Sequence, residues 1–365
     1  MKDFSEKDLR DEILDDELDI VASDSVEEGD EMYEHFSVTV DKGQSMMRLD
    51  KYLTIRLENT SRNRIQTAAD GGNILVNGKP QKSSYKIKPL DQISIVMPYP
   101  RRKEEIVPEN IPLDIVYEDD DIIVVNKAAG MVVHPGVGNH SGTLVHALSY
   151  HLRDLEMFSE GNARAGLVHR IDKDTSGLLL IAKTPEAKKK LGKQFFEKTT
   201  HRSYHALVWG HLKEDEGRIE GNITRDPKDR LKMTVVAPET GIGKNAVTHW
   251  KVIERYGYTT LVECILETGR THQIRVHMQY IGHPLFNDER YGGNEILKGT
   301  TSGTYRKFVA NCFDTCPRQA LHARTLGFVH PRTKEEMFFT SELPTDMTAL
   351  LNRWRTYVEG TTRTD

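Results

Sequence analysis

The chain has 365 residues, 37% hydrophobic and 29% charged, with a formal net charge of −5. That length exceeds one ordinary core and predicts two domains plus a tail. No apolar run approaches the roughly 18–20 residues that span a bilayer, and the acidic N-terminus is unlike a signal peptide. A cytoplasmic protein with no membrane partner is therefore expected. Cys264, Cys312 and Cys316 make an odd count with no disulfide framework, as expected of reduced thiols.

The charge is unevenly spread. Residues 1–35 hold 15 acids against 3 bases, so the whole-chain −5 leaves +7 on residues 36–365. A mildly basic body behind an acidic arm suggests a nucleic-acid partner, although a solvated charge face would look the same. Residues 1–45 are expected to form a disordered acidic arm, because their apolar positions are too few to offset ordering entropy.

From Met47 the texture changes. Leu49, Tyr52 and Leu53 share one helical face, with Arg48 and Lys51 outside it. Ser61 is placed to cap a second helix carrying Arg62, Arg64, Ile65 and Gln66, and Gly71-Gly72 ends it. Ile74-Leu75-Val76 reads as a strand entering an Asn77-Gly78 hairpin turn, and Ile93 to Val96 as a closing strand. Between Met46 and Val96 there are 9 bases and 4 acids, enough to grip phosphates and also compatible with ordinary surface. The order of Arg48-Leu49-Asp50-Lys51-Tyr52-Leu53, Ser61-Arg62 and Gly72 to Gly78 resembles the S-four RNA-binding domain. That resemblance covers residues 46–96 and implies RNA binding by shape and backbone, through Arg48, Lys51, Arg62 and Arg64.

Prolines and Arg101-Arg102-Lys103 place a stiff linker at 97–112. The second domain is expected over 113–350, with 351–365 as a C-terminal tail. Ile115 to Lys127 reads as two strands around an acidic turn, and Thr143 to Tyr150 as a helix. Between them lies a glycine-rich loop holding His134. His169 to Gly177 packs two acids, two bases and two hydroxyls against the apolar run Leu178 to Ala182, a functional loop propped on a buried strand. A helix follows over Pro185 to Glu197, then a strand over Ser203 to Gly210. Further strands are expected at 231–237, 246–254, 258–267 and 325–330, and a helix between Thr271 and Tyr280. Short strands dominate, so the fold class is α+β with a mixed, largely antiparallel sheet.

Nucleotide and metal motifs fail. Gly241 to Lys244 lacks the earlier glycine and the following hydroxyl of a phosphate loop, and no His-Glu-x-x-His pair occurs. His272, His277 and His283 lie among glycines and arginines that suit an anion better than zinc. What remains is acid, arginine and tyrosine. Asp172 and Asp174 are equal candidates for the acid, and Thr175 and Ser176 are expected to satisfy backbone groups and stiffen the turn. Arg270 and Arg275 could keep a buried carboxylate charged, as a nucleophile or base requires, or could form structural ion pairs.

Gly166 to Gly177, Tyr204 in its strand and Gly269 to Arg275 resemble the Rlu-type pseudouridine synthases. Asn126 to Gly130, His134-Pro135-Gly136 and Gly282 to Leu285 extend the likeness over residues 110–340. Ile171 and Ala128 depart from the pattern, where leucine and proline are usual. The resemblance implies isomerisation of specific uridines to pseudouridine in RNA, most readily large-subunit ribosomal RNA. Transfer RNA is the runner-up substrate, and a non-catalytic ribosome assembly factor is the alternative of another class. Carried over, Asp172 matches the catalytic aspartate, Tyr204 the tyrosine packed on the target base, and Arg275 the arginine paired with the aspartate. Arg170 matches the residue that fills the stack when the base flips out, and Arg270 is a phosphate-contact candidate. The chemistry implied needs no metal and no cofactor, and a monomer that does not act on DNA is expected.

Overall fold

The computed structural model describes residues 33–57, 62–97, 106–136, 139–159, 165–229 and 231–362. Contacts divide the chain into two units, Met1–Glu104 and Glu105–Asp365. The first unit runs β1 (Tyr33–Thr39), α1 (Leu49–Arg56), α2 (Arg62–Asp70), β2 (Ile74–Val76), β3 (Lys79–Pro80) and β4 (Gln92–Met97). Its strands form an antiparallel sheet in the order β1-β4-β2-β3. Leu49, Tyr52 and Leu53 are buried with Ile65, Ile74 and Ile93, as their helical spacing dictates. Asn77 and Gly78 take positive φ (52° and 76°), the backbone that a two-residue hairpin needs.

Strand β1 corrects the expected arm of residues 1–45. Phe36 and Val38 pair with Ile95 and Ile93 of β4 and pack on the core, while Val40 is fully buried. The alternating apolar positions there outweigh the acids that precede them. Residues 1–32 and the expected cap Ser61 lie outside the described residues.

The second unit opens with β5 (Ile115–Glu118), β6 (Ile122–Lys127), α3 (Leu144–His151) and α4 (Glu156–Ser159). Then come β7 (Ser176–Ala182), α5 (Pro185–Phe196), β8 (His201–Trp209), β9 (Glu216–Arg225) and β10 (Met233–Val236). The chain continues through β11 (Lys244–Arg255), β12 (Thr259–Leu266), α6 (Gln273–Tyr280), α7 (Gly303–Thr315), β13 (Leu321–Val329), β14 (Glu336–Thr340) and α8 (Thr345–Thr362). Ten strands make one sheet in the order β10-β9-β11-β12-β8-β13-β7-β6-β5, with β14 beside β13. Among these pairings only β13 against β7 is parallel. The class is thus α+β, largely antiparallel.

Every residue of β7 is buried, which is why it reads as one apolar run. Successive side chains go to opposite faces. Ile123, Val125, Leu179 and Ile181 meet α3 and α6 on one side, while Ile122, Val124, Leu178 and Leu180 meet α5 on the other. At about 1.5–3 kcal/mol for each fully buried Leu or Ile, this strand anchors the loop that precedes it. A third cluster joins Trp209 and Phe286 to α7 and α8 through Tyr305, Val309, Leu350 and Trp354.

Two boundaries move. The expected tail 351–365 is largely the second half of α8, whose Leu351 and Trp354 are buried at helical spacing from Leu350. Within the expected linker, Ile106 is buried in the second unit's core and Glu109 accepts from Gly142 N–H at 3.0 Å. Residues 98–105 of that linker lie outside the described residues.

Candidate active site

The loop His169–Gly177 is held by its backbone. The buried Lys127 ammonium donates to the carbonyls of Ala128, Met131 and Lys173 at 2.8, 2.8 and 2.9 Å. Gly130 N–H adds a second bond to the Lys173 carbonyl, and Arg318 Nη1 donates to that of Asp174 at 2.9 Å. Arg318 is itself fixed by both oxygens of Asp346, in the first turn of α8, at 2.7 and 3.0 Å. The expected role of Thr175 and Ser176 is corrected here. Ser176 Oγ bonds the His322 ring, and Thr175 Oγ1 is buried without a partner, because both side chains point into the fold where the loop enters β7. Gly177, at φ 114°, lies so close to β13 that a Cβ would run into the Ala323 carbonyl. Behind the loop, His169 stacks on Phe195 and accepts the Leu180 N–H through Nε2; burial holds it neutral, pushed down to about 3.

Arg275 comes from α6, and Gln273 pins the start of that helix. Its amide oxygen accepts from Thr268 Oγ1 and Arg270 N–H, and its amide nitrogen donates to the Val247 carbonyl and Thr248 Oγ1. Arg275 Nη1 meets Asp172 Oδ2 at 3.1 Å, across 103 residues of chain. Its other edge, Nε and Nη2, bonds both oxygens of the fully buried Asp288 at 2.7 and 2.9 Å. Burial pushes the Asp172 carboxyl up, but the positive groups around it win and bring it to about 2. Since burial brings His272 down to about 4, and so leaves it neutral at pH 7, Arg275 and then Arg170 keep Asp172 ionised there.

Arg170 also acts on Asp172. Tyr204, on β8, is almost fully buried; burial raises its hydroxyl, Arg202 pulls it back, and Asp172 raises it further. Asp172, Arg275, Arg170 and Tyr204 are therefore brought together electrostatically. Arg270 lies on the turn entering α6, half-buried, with Nε 3.3 Å from the Asn245 carbonyl.

Sequence reasoning missed Asp288, Tyr291 and Arg318. Their only local signal is an acid and an aromatic in the turn Asn287 to Gly293, and one arginine before a strand. Among the described residues one group of metal-ligand type occurs, Asp119, Asp121 and His330, and its carboxylates already take Tyr117, His330 and Arg332.

In the first unit, buried Asp50 gathers Arg48 (3.1 and 2.9 Å), Arg62 (3.1 Å), Gln66 (3.0 Å) and the Lys51 N–H (2.8 Å). The arginine at its side, Arg48, holds its carboxyl far below the usual range even though burial opposes it. Both guanidiniums stay about half exposed, at 45% and 55% of the side chain, so they can still reach a phosphate. Lys51 is exposed. Arg64 lies in α2, and its side chain is outside the described residues.

Residues 121–280 match the family described as RNA pseudouridylate synthase, and residues 47–93 match the S4 domain. An uncharacterized RNA pseudouridine synthase of Chlorobaculum parvum is 45% identical over 321 residues, 88% of this chain and 98% of its own. Ribosomal large subunit pseudouridine synthase D of Neisseria meningitidis serogroup B is 45% identical over 305 residues, 84% of this chain and 78% of its own. In fold, human RNA pseudouridylate synthase domain containing 4 covers 66% of this chain and 92% of its own, with TM-score 0.51 at 24% identity. On that identity and coverage, the chain belongs to the RNA pseudouridine synthase family, with an S4 domain ahead of its catalytic region.

Proposed function

We propose that this enzyme isomerises uridines of large-subunit ribosomal RNA, with Asp172 as the catalytic acid group, Tyr204 over the target base and Arg170 in the vacated stack. The observation that carries this reading is the Asp172–Arg275 ion pair on a loop whose carbonyls are themselves tied down. The choice of RNA rests on relatives named for the large ribosomal subunit.

Isomerisation breaks the bond from ring nitrogen to ribose, turns the uracil and joins carbon five to the ribose. Asp172 starts it by adding to the anomeric carbon or by removing the neighbouring ribose proton. Both routes need a carboxylate that enters ionised, and Arg275 supplies that. The detached base is kept, so one carboxylate serves where a glycosidase needs two. Burial keeps the Tyr204 hydroxyl protonated at neutral pH, so removal of the carbon-five proton through it requires the phenol proton to pass on. Asp172, whose charge acts on Tyr204, is the ionised group there to receive it. Flipping the uridine costs a few kcal/mol, which Arg170 insertion and stacking on Tyr204 offset.

The test is tritium release from uridine tritiated at carbon five, in large-subunit ribosomal RNA and in transfer RNA. Release from ribosomal RNA by the wild type and none by Asp172→Ala is expected. Equal release by both proteins would sink the assignment of Asp172, and release from transfer RNA alone would sink the substrate.

A further inference from the structure

Arg275 spends two of its three hydrogen bonds on a carboxylate that no substrate can touch. A guanidinium is a rigid planar fork on a flexible stem, and one bond at 3.1 Å to Asp172 would not fix its rotation. The two bonds to Asp288 do, because they define the plane of the fork and leave only Nη1 facing the loop. Asp288 is in turn fixed by the turn it sits in. Its carbonyl accepts from Gly293 N–H at 2.7 Å, its N–H reaches the Leu285 carbonyl at 3.2 Å, and a Cβ on Gly293 would strike that same carbonyl.

Tyr291 supports the fork from its face, with the guanidinium carbon 5.1 Å from the ring centroid. The ring is held at both ends. Its backbone N–H donates to Asp288 Oδ1 at 3.2 Å, while its hydroxyl accepts the Met233 N–H at 3.0 Å and bonds His272 Nδ1 at 2.9 Å.

We propose that Asp288, with Tyr291 beneath the fork, is a positioning residue of the reaction: it sets the rotation of Arg275 so that Nη1 meets Asp172. This inference rests on the role given to Asp172 above. Asp288 is fully buried, so it touches no substrate, and its bonds reach the loop through Arg275. The other groups acting on Asp172 are Arg170, His272, Lys127, Tyr204 and Tyr291, and all remain in an Asp288 variant.

The experiment compares wild type with Asp288→Asn, which keeps the shape but, with its oxygen retained by Nη2 and the Tyr291 N–H, sets an amide N–H2 against Nε. Donor faces donor, the fork turns, and Asp172 loses its bond to Nη1 while its burial stays. The kcat for tritium release should fall about 10–100-fold with KM moved far less. The Asp172 carboxyl, followed by carbon-13 NMR in the folded protein and assigned with Asp172→Asn, should titrate at least about one pH unit higher than in wild type. A variant that melts lower yet keeps the wild-type kcat and Asp172 midpoint would overturn the proposal. So would a lower midpoint, which is what loss of the Asp288 charge alone would produce. Should Asp288→Asn not fold, Tyr291→Leu keeps both carboxylates and removes the face support; its Asp172 midpoint must also rise, and a wild-type value overturns the proposal. If the wild type isomerises no uridine, the functional reading fails, while the NMR midpoints still decide the positioning claim.

Discussion

Replacing Lys127 by Met tests how the loop that carries Asp172 is held. Lys127 is 2% exposed, and burial brings its ammonium, ordinarily near 10.5, down to about 7 against the pull of Asp172 and Asp174. Between those two values the unfolded chain carries a proton at this site that the folded chain has lost. Stability therefore rises with pH above 7, by up to about 1.4 kcal/mol per pH unit, and levels off near 10.5. Met carries no proton, so the gap in unfolding free energy between wild type and Lys127→Met should widen in favour of wild type from pH 7 to pH 9. Urea denaturation at pH 7, 8 and 9 reads that gap. Its slope is the measure, because the offset mixes carbonyls losing a donor with the relief, near pH 7, from burying a charge. The freed Lys173 carbonyl should also loosen Asp172 and lower kcat about 10–100-fold. A gap that stays constant with pH would refute the reasoning.

Asp50→Ala removes the carboxylate that gathers Arg48 and Arg62, so RNA affinity should fall by about 1–2 kcal/mol, roughly 5–30-fold in Kd. Turnover of a short stem-loop at saturation should stay at the wild-type level; filter binding beside tritium release checks both, and unchanged binding would refute it. Trp354→Ala empties a fully buried site among Trp209, Phe286 and Phe308, which costs about 3–5 kcal/mol. Calorimetry should show Tm lowered by roughly 10 °C, and a smaller loss than a few degrees would mean that α8 does not pack on this core.

The sheet was readable where period and burial agree. β7 is apolar at every position because both faces are covered, and α1 shows its buried face at three-and-four spacing. β1 was hidden because Phe36, Val38 and Val40 follow a dense run of acids, so composition outweighed alternation. The second half of α8 reads as a tail because polar residues dominate 351–365, although Leu350, Leu351 and Trp354 carry the apolar stripe. Within the site, the loop was visible from its charges and the strand behind it. Its fixtures were not, because Lys127 and Arg318 act on carbonyls, which carry no sequence signal. The partnership of Asp172 with Arg275 spans 103 residues, and resemblance to a family identified it where spacing alone left an ordinary ion pair open.

The Asp174 carbonyl, Arg318 and Asp346 form a chain of bonds from the loop that carries Asp172 to the first turn of α8. The geometry of the loop that holds Asp172 thus depends on a helix that begins at residue 345. A nascent chain that has exposed the loop but not Asp346 has the acid without one of its fixtures. On the role proposed for Asp172, synthesis must run as far as Asp346 before the loop has all its fixtures.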